Sequence, residues 1–267
     1  MKTRSLLVAA LTLGAAVSSA LFGQEAASAR LLRLTYMKVE QADISAYVNL
    51  LREHYARIHT ARVPLGKLTS WKAYQVAFPN GEQPEYNFVL MFELPGYAQL
   101  APDTSYAETA RKTVGADRYA QVEANPLAKS LRTETLVLRE ATTSWPTATN
   151  HYLGLSFLRA LPGKSADLMA IQSGHYLPST EDSVKAGRMT SWGVATVRFP
   201  EQRDYPYTHL SIAGYASLTQ MEKEASAEER EKWRSSSADA ETRLPTVRTR
   251  VKGELWRLVA QTERRTP

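Results

Sequence analysis

The segment His54-Tyr55-Ala56-Arg57-Ile58-His59-Thr60-Ala61-Arg62-Val63-Pro64-Leu65-Gly66-Lys67-Leu68-Thr69-Ser70-Trp71 occurs in two versions. Counting 121 residues on gives His175-Tyr176, Val184, Gly187 and Thr190-Ser191-Trp192 at the same spacings, with no gap. Lys67-Leu68 is answered by Arg188-Met189, and Phe78-Pro79 by Phe199-Pro200. A match this long means one structural unit used twice, so the elements around one copy should reappear around the other.

They do. Leu32, Leu34 and Tyr36 fall on one face of an alternating run, and Arg33, Thr35 and Met37 on the other. That period of two marks a strand. Asp43 is placed to cap a helix, in which Ile44, Tyr47, Leu50, Leu51, Tyr55 and Ile58 recur at helical spacing. Pro64 and Gly66 close the connection. Lys67 to Phe78 reads as a second strand, Asn80-Gly81 as a turn, and Tyr86 to Leu94 as a third strand. Residues 95–130 have helical composition, broken near Gly115 and at Asn125-Pro126, and Leu131 to Arg139 alternates again. The second copy runs in the same order. Leu153, Leu155 and Phe157 open it, and a helix from Ser165 carries Leu168, Ile171 and His175. Gly174 and Pro178 should end or distort that helix early. Strands follow at 189–199 and 207–213, Ser226-Ala227-Glu228-Glu229 opens another helix, and 254–259 is the last strand.

Two consecutive β-α-β-β-α-β units give an α+β chain of two tandem ferredoxin-like repeats, at 30–142 and 151–267, with a polar linker at 143–150. With its long first helix and Trp71 on strand two, the chain resembles the dimeric α/β-barrel superfamily. That group includes NIPSNAP-type, EthD-type and antibiotic-biosynthesis monooxygenase proteins, and fused-repeat haem enzymes related to chlorite dismutase. The resemblance implies two four-stranded sheets enclosing one intramolecular α/β barrel with helices outside, as a monomer or a homodimer. On this reading Leu32-Leu34-Tyr36 and Leu153-Leu155-Phe157 pack on the helices. Arg33-Thr35-Met37 and Gly154-Ser156-Leu158 line the interior, where glycine and serine leave room for a ligand.

His54 and His175 are the histidines that recur at matching positions, and both fall on inward helical stripes. They read either as catalytic bases or ligand-orienting groups, or as buried side chains bonded to neighbouring loops. Tyr55 and Tyr176 follow them directly, as ligand contacts or as rings with the hydroxyl at the rim. Alternation turns Trp71, and by repeat Trp192, toward the barrel if Val76 and Phe78 face the helices. There they would stack on a flat ligand or fill space. No metal motif is present: His54 and His59 are five apart, and there is no cysteine. No cofactor is required, although a repeated histidine could serve haem as an axial ligand.

Lys2 and Arg4, followed by the apolar run Leu6 to Val17 and small residues, read as a secretory signal peptide over 1–29. The mature chain is then expected to be secreted or periplasmic, with no membrane contact after cleavage. The net charge of +6 is spread along the chain. Without a basic stripe interleaved with aromatics, nucleic acid is not the expected partner. The expected partner is a small apolar or aromatic molecule inside the barrel. A cofactor-independent oxygenase or cyclase, a haem enzyme and a filled interaction barrel are the alternatives.

Overall fold

The computed structural model describes residues 30–78, 84–124, 126–145, 148–202, 204–223 and 225–262. The expected leader and the Asn80-Gly81 turn lie outside the described residues. Eight strands form: β1 (Leu31–Lys38), β2 (Ser70–Phe78), β3 (Phe88–Leu94), β4 (Lys129–Ala141), β5 (Tyr152–Ala160), β6 (Ser191–Phe199), β7 (His209–Tyr215) and β8 (Arg248–Gln261). They close into a barrel in the order β1-β3-β2-β8-β5-β7-β6-β4, antiparallel throughout. Within each half the order is the same, β4-β1-β3-β2 and β8-β5-β7-β6, and the seams are β2–β8 and β4–β6. Closure leaves no strand edge unpaired, which removes the usual route to edge-to-edge aggregation.

The helices lie outside. Ile44–Leu50, Leu51–Tyr55 and Ala56–Arg62 run on as α1, whose middle segment is π-helical. Tyr106–Val114 (α2) and Ala116–Ala124 (α3) follow, divided at Gly115, whose φ of 90° suits glycine. In the second half, Ser165–Ile171, Gln172–Tyr176 and Leu177–Lys185 form α4, again π-helical in the middle. Leu218–Met221 (α5) and Ala227–Val247 (α6) complete the set. Gly174 and Pro178 do not end α4. The distortion falls at the matching five residues in both halves, and in α1 neither glycine nor proline is there to cause it.

One buried cluster draws on all eight strands: Leu32, Leu34 and Tyr36; Tyr74 and Val76; Val89 and Met91; Leu136; Leu153, Leu155 and Phe157; Ala195; Leu210 and Ile212; Trp256. Only the space inside the barrel can bring these together. The expected faces of β1 and β5 are therefore reversed, and the apolar faces fill the interior. The reason is volume. A closed eight-stranded barrel must be filled by side chains to native density, and rings such as Tyr36, Tyr74 and Trp256 do so. A second cluster, with Tyr47, Leu50, Leu51, Trp71, Phe88 and Val122, sits between α1, α3 and the first sheet. Over the second half the apolar cluster joins α4 to α6, through Leu168, Ile171, Ala240, Leu244 and Val247. No described helix is long and apolar enough to cross a membrane.

Candidate functional site

Inside one end of the barrel, polar groups replace the apolar filling. Arg132 and Glu134 on β4 point inward with Tyr36 of β1, as do Lys252, Glu254 and Trp256 of β8. Glu134 is fully buried. Its Oε2 accepts from Tyr36 Oη at 2.9 Å and from Tyr207 Oη, and its Oε1 accepts from Arg132 Nε at 3.0 Å and from Tyr205 Oη. Glu254 accepts from Tyr86 Oη at 2.8 and 3.0 Å, from Lys252 Nζ at 2.8 Å and from Trp256 Nε1 at 2.8 Å. Arg132 lies 4.1 Å over the Tyr36 ring, and Lys252 4.5 Å over Phe157. The arrangement crosses over: the first half's Glu134 is held by the second half's Tyr207, and the second half's Glu254 by the first half's Tyr86.

Burial, then the neighbouring Tyr207 and Glu134 charges, pushes the Tyr36 phenol well above its ordinary pKa. Burial and Glu134 do the same to Tyr207, and burial and Glu254 to Tyr86. These phenols stay protonated and keep donating. A carboxylate offers about four acceptor positions; Glu134 receives four donors, and Glu254 three, the Tyr86 hydroxyl lying within reach of both of its oxygens. The network is thus a tie between the halves, its carboxylates occupied by the protein's own donors.

The expected site residues lie elsewhere. Val76 and Tyr74 face the interior, so alternation on β2 turns Trp71 outward, into the layer beneath α1. Trp192 alternates with inward Ala195 on β6 and donates through Nε1 to Ser211 Oγ at 3.0 Å. Neither ring lines the interior. His54 is buried in the π-helical segment of α1, its ring 5.0 Å from that of Tyr55. His175 is half-buried in the matching segment of α4, and Tyr176 donates to Glu241 Oε1 at 3.2 Å. The two histidines sit on the outer helices of opposite halves and share no site. Both ring nitrogens of His54 are buried without a hydrogen-bond partner among the described residues. An unsatisfied buried polar group costs about 1–3 kcal/mol. His54→Leu should therefore raise the melting temperature by a few degrees; a clear drop would give the imidazole a partner and a role.

The open site is on the outer face of the second sheet. A cleft of about 600 Å³ lies over Gly154 and Ser156 of β5, Ala213 and Tyr215 of β7, and Gly253 and Leu255 of β8. Phe78, Met221 and Arg250 rim it. A Cβ on Gly253 would meet the Arg250 guanidinium at 2.4 Å, so the missing side chain is what lets that cation lie against the strand. Arg250 has no ion pair among the described residues. At four of the matched positions of the first half, displaced by 121 residues and by 120 on the last strand, the residue is larger, while Tyr215 and Leu255 correspond to the smaller Leu94 and Thr135. Gly154, Ser156, Ala213 and Gly253 stand where Arg33, Thr35, Phe92 and Thr133 stand. There the space is filled: Thr35 and Thr133 are hydrogen-bonded at 3.2 Å, and Phe92 packs edge-on against His59 at 5.2 Å. His59 in turn lies 4.8 Å from Trp71.

No protein-family model and no curated protein matches the sequence. Solved structures do match in shape. A candidate monooxygenase from Lactobacillus acidophilus NCFM superposes with a TM-score of 0.52 at 10% identity, over 88% of this chain and 96% of the other. A second candidate monooxygenase, from Fusobacterium nucleatum subsp. nucleatum, gives 0.51 at 9% identity over 88% and 94%. The chain has the fold of a dimeric α/β barrel. Such low identity carries the fold alone, so the barrel's activity rests on its own residues.

Sequence reasoning missed the interior carboxylates of this barrel. Arg132-Thr133-Glu134 corresponds to Lys252-Gly253-Glu254 at an offset of 120, one short of the repeat's 121. Allowing a single deletion before the last strand would have aligned both ion pairs. Among the described residues no group of histidines and carboxylates is arranged to hold a metal ion.

Proposed function

We propose that the protein binds a small, ring-bearing organic anion in the cleft of the second half. The observation that carries this is the set of four matched positions at which the second half is smaller than the first. Those positions open a floor beneath Phe78, Tyr215 and Met221 while leaving Arg250 as a cation with no ion pair among the described residues. Apolar walls with few convergent polar groups suit a small molecule, and a guanidinium suits a carboxylate or phosphate. The same pattern supports a duplicated ferredoxin-like unit in which one copy kept a closed helix–sheet layer and the other became the binding half. Read with the expected leader, binding would take place in the periplasm or outside the cell, which N-terminal sequencing of the exported protein would test.

Haem belongs among the candidates, being a flat ring with carboxylates. Tyr215 would offer it a phenol oxygen and Arg250 a partner for a propionate, while neither His175 nor His209 lines the cleft. The test is a thermal-shift screen of aromatic carboxylates, uronic acids and haem against the wild type, Ser156→Phe and Arg250→Ala. Ser156→Phe should fill the cleft and abolish the ligand-induced shift while leaving the unliganded melt nearly unchanged. Arg250→Ala should weaken binding about tenfold or more, as loss of a charged hydrogen bond implies. A panel that shifts nothing, or a shift that survives Ser156→Phe, removes the cleft as the binding site.

A further inference from the structure

Two further cavities follow the cleft past Leu255. On β5 and β8 the outward residues are paired Ser156 with Gly253, Gly154 with Leu255 and Tyr152 with Arg257. Past Leu255, where a register shift against β2 breaks the alternation of β8, lies a second cavity of about 350 Å³, lined by His151, Tyr152 and the run from Arg257 to Gln261. Ala260 and Gln261 then also line a third, of about 150 Å³, whose far wall is Arg52, Arg57 and Thr60 of α1. The three follow one another along β8 as a trough, the second and third sharing Ala260 and Gln261. From Arg250 to Gln261 it runs roughly 35 Å, at about 3.3 Å per residue.

Its charge is of one sign. Arg250, Arg257, Arg57 and Arg52 occur along it, and Arg52 is fixed to β8 by donating from Nε to the Val259 carbonyl at 2.9 Å. The single acidic residue in the lining, Glu254, turns its carboxylate into the barrel, where Tyr86, Lys252 and Trp256 occupy it. Between the cations lie ring faces, Tyr215 and Tyr152, and neutral hydrogen-bonding groups, Ser156, Gln261 and Thr60. A one-sided line of cations along a trough of this length fits a chain of linked anionic units better than a single small molecule.

We propose that the ligand in the cleft is one unit of an acidic polysaccharide laid along β8. The inference rests on the cleft reading and gives it a ligand class. The wide spacing of the arginines suits a polymer whose anions recur less densely than the phosphates of a nucleic acid. The interleaved tyrosines suit the apolar faces of sugar rings, and the neutral groups suit their hydroxyls. Each further unit engaged acts as a linked binding event, so affinity should climb with length until the trough is full.

The experiment is calorimetric titration of galacturonate and of oligogalacturonates of increasing length against the wild type, Arg52→Ala/Arg57→Ala and Ser156→Phe. The expected result is affinity rising at least about tenfold from monomer to the longer oligomers. Arg52→Ala/Arg57→Ala, at the far end, should lose most of that gain yet bind the monomer as the wild type does. Ser156→Phe should weaken monomer and oligomer together. Unaltered melts confirm that the variants are folded. Affinity independent of length overturns the polymer while leaving the cleft standing, as does binding of aromatic acids without uronates. Oligothymidylate of matched length binding more tightly than the oligouronate overturns the polysaccharide in favour of nucleic acid. Failure of every anion tested overturns both readings.

Discussion

Glu134→Gln should lower the melting temperature by roughly 10 °C, the largest loss expected from any single conservative change in this chain. Breaking a buried ion pair by removing one partner costs about 3–5 kcal/mol, and each kcal/mol is worth roughly 2–4 °C in a chain of this size. Glutamine keeps the volume but exchanges an acceptor oxygen for a donor amine. Tyr36, Tyr205, Tyr207 and Arg132 can only donate toward that carboxylate, so at least one donor loses its acceptor, and Arg132 keeps only its more exposed pair with Glu85. Glu254→Gln should cost less, because Glu254 takes three donor groups, Tyr86, Lys252 and Trp256, where Glu134 takes four. Calorimetric melts of the two variants test this. A double-mutant cycle between Glu134→Gln and Tyr207→Phe should show coupling of at least about 1 kcal/mol, because the pair joins the halves. A change under about 2 °C for Glu134→Gln would mean that the barrel end is held by packing alone.

That network explains part of what the sequence concealed. Strand alternation and the 121-residue repeat were enough to read the element order, because apolar periodicity survives in each copy. Which face of β1 turns inward was not legible. Leu32-Leu34-Tyr36 would suit a helix layer as well as a barrel, and closure decides between them through the volume to be filled. The first part of β8 was missed for a related reason. Arg248, Arg250 and Lys252 make this the most cation-dense part of the chain, and Lys252 and Glu254 can sit inside because each neutralises the other. The space left by Gly154 and Ser156 was legible as room for a ligand, but once the faces reverse that room lies outside the barrel. Arg250 carried no signal of its own, since its place on the strand depends on Gly253 three residues away leaving it a bed. His54 and Trp71 recur with their copies, and recurrence alone does not separate a site from a packing layer.

Acid should destabilise the protein from about pH 6.5 downward, well before its carboxylates titrate. His59 is buried against Trp71, Phe92 and Tyr106, and its Nδ1 lies 2.9 Å from Arg62 Nη1. Arginine can only donate, so Nδ1 must accept and the ring must be neutral. Burial, with Arg62 and His54 nearby, lowers its pKa to about 3. His209, buried between Thr208 and Ser165, is lowered to about 4, by burial first and Arg139 second. Both folded values are depressed, so below about 6.5 the unfolded chain takes up protons that the folded chain refuses. Their stabilisation is fully present above that pH and is lost as pH falls toward 4 and then 3. Each refused proton costs about 1.4 kcal/mol per pH unit, so the two together give roughly 2–3 kcal/mol per unit between pH 5.5 and 4. Asp103 adds a further loss only below its ordinary range. Burial alone would raise its pKa, but Ser105 and Arg62 outweigh that and hold it at about 2. Urea midpoints measured across this range should fall steeply for the wild type. His59→Phe, which keeps the ring stack, should remove about half the slope, and His59→Phe/His209→Asn most of it. An unchanged slope in the double variant would place the acid-sensitive protons on other groups.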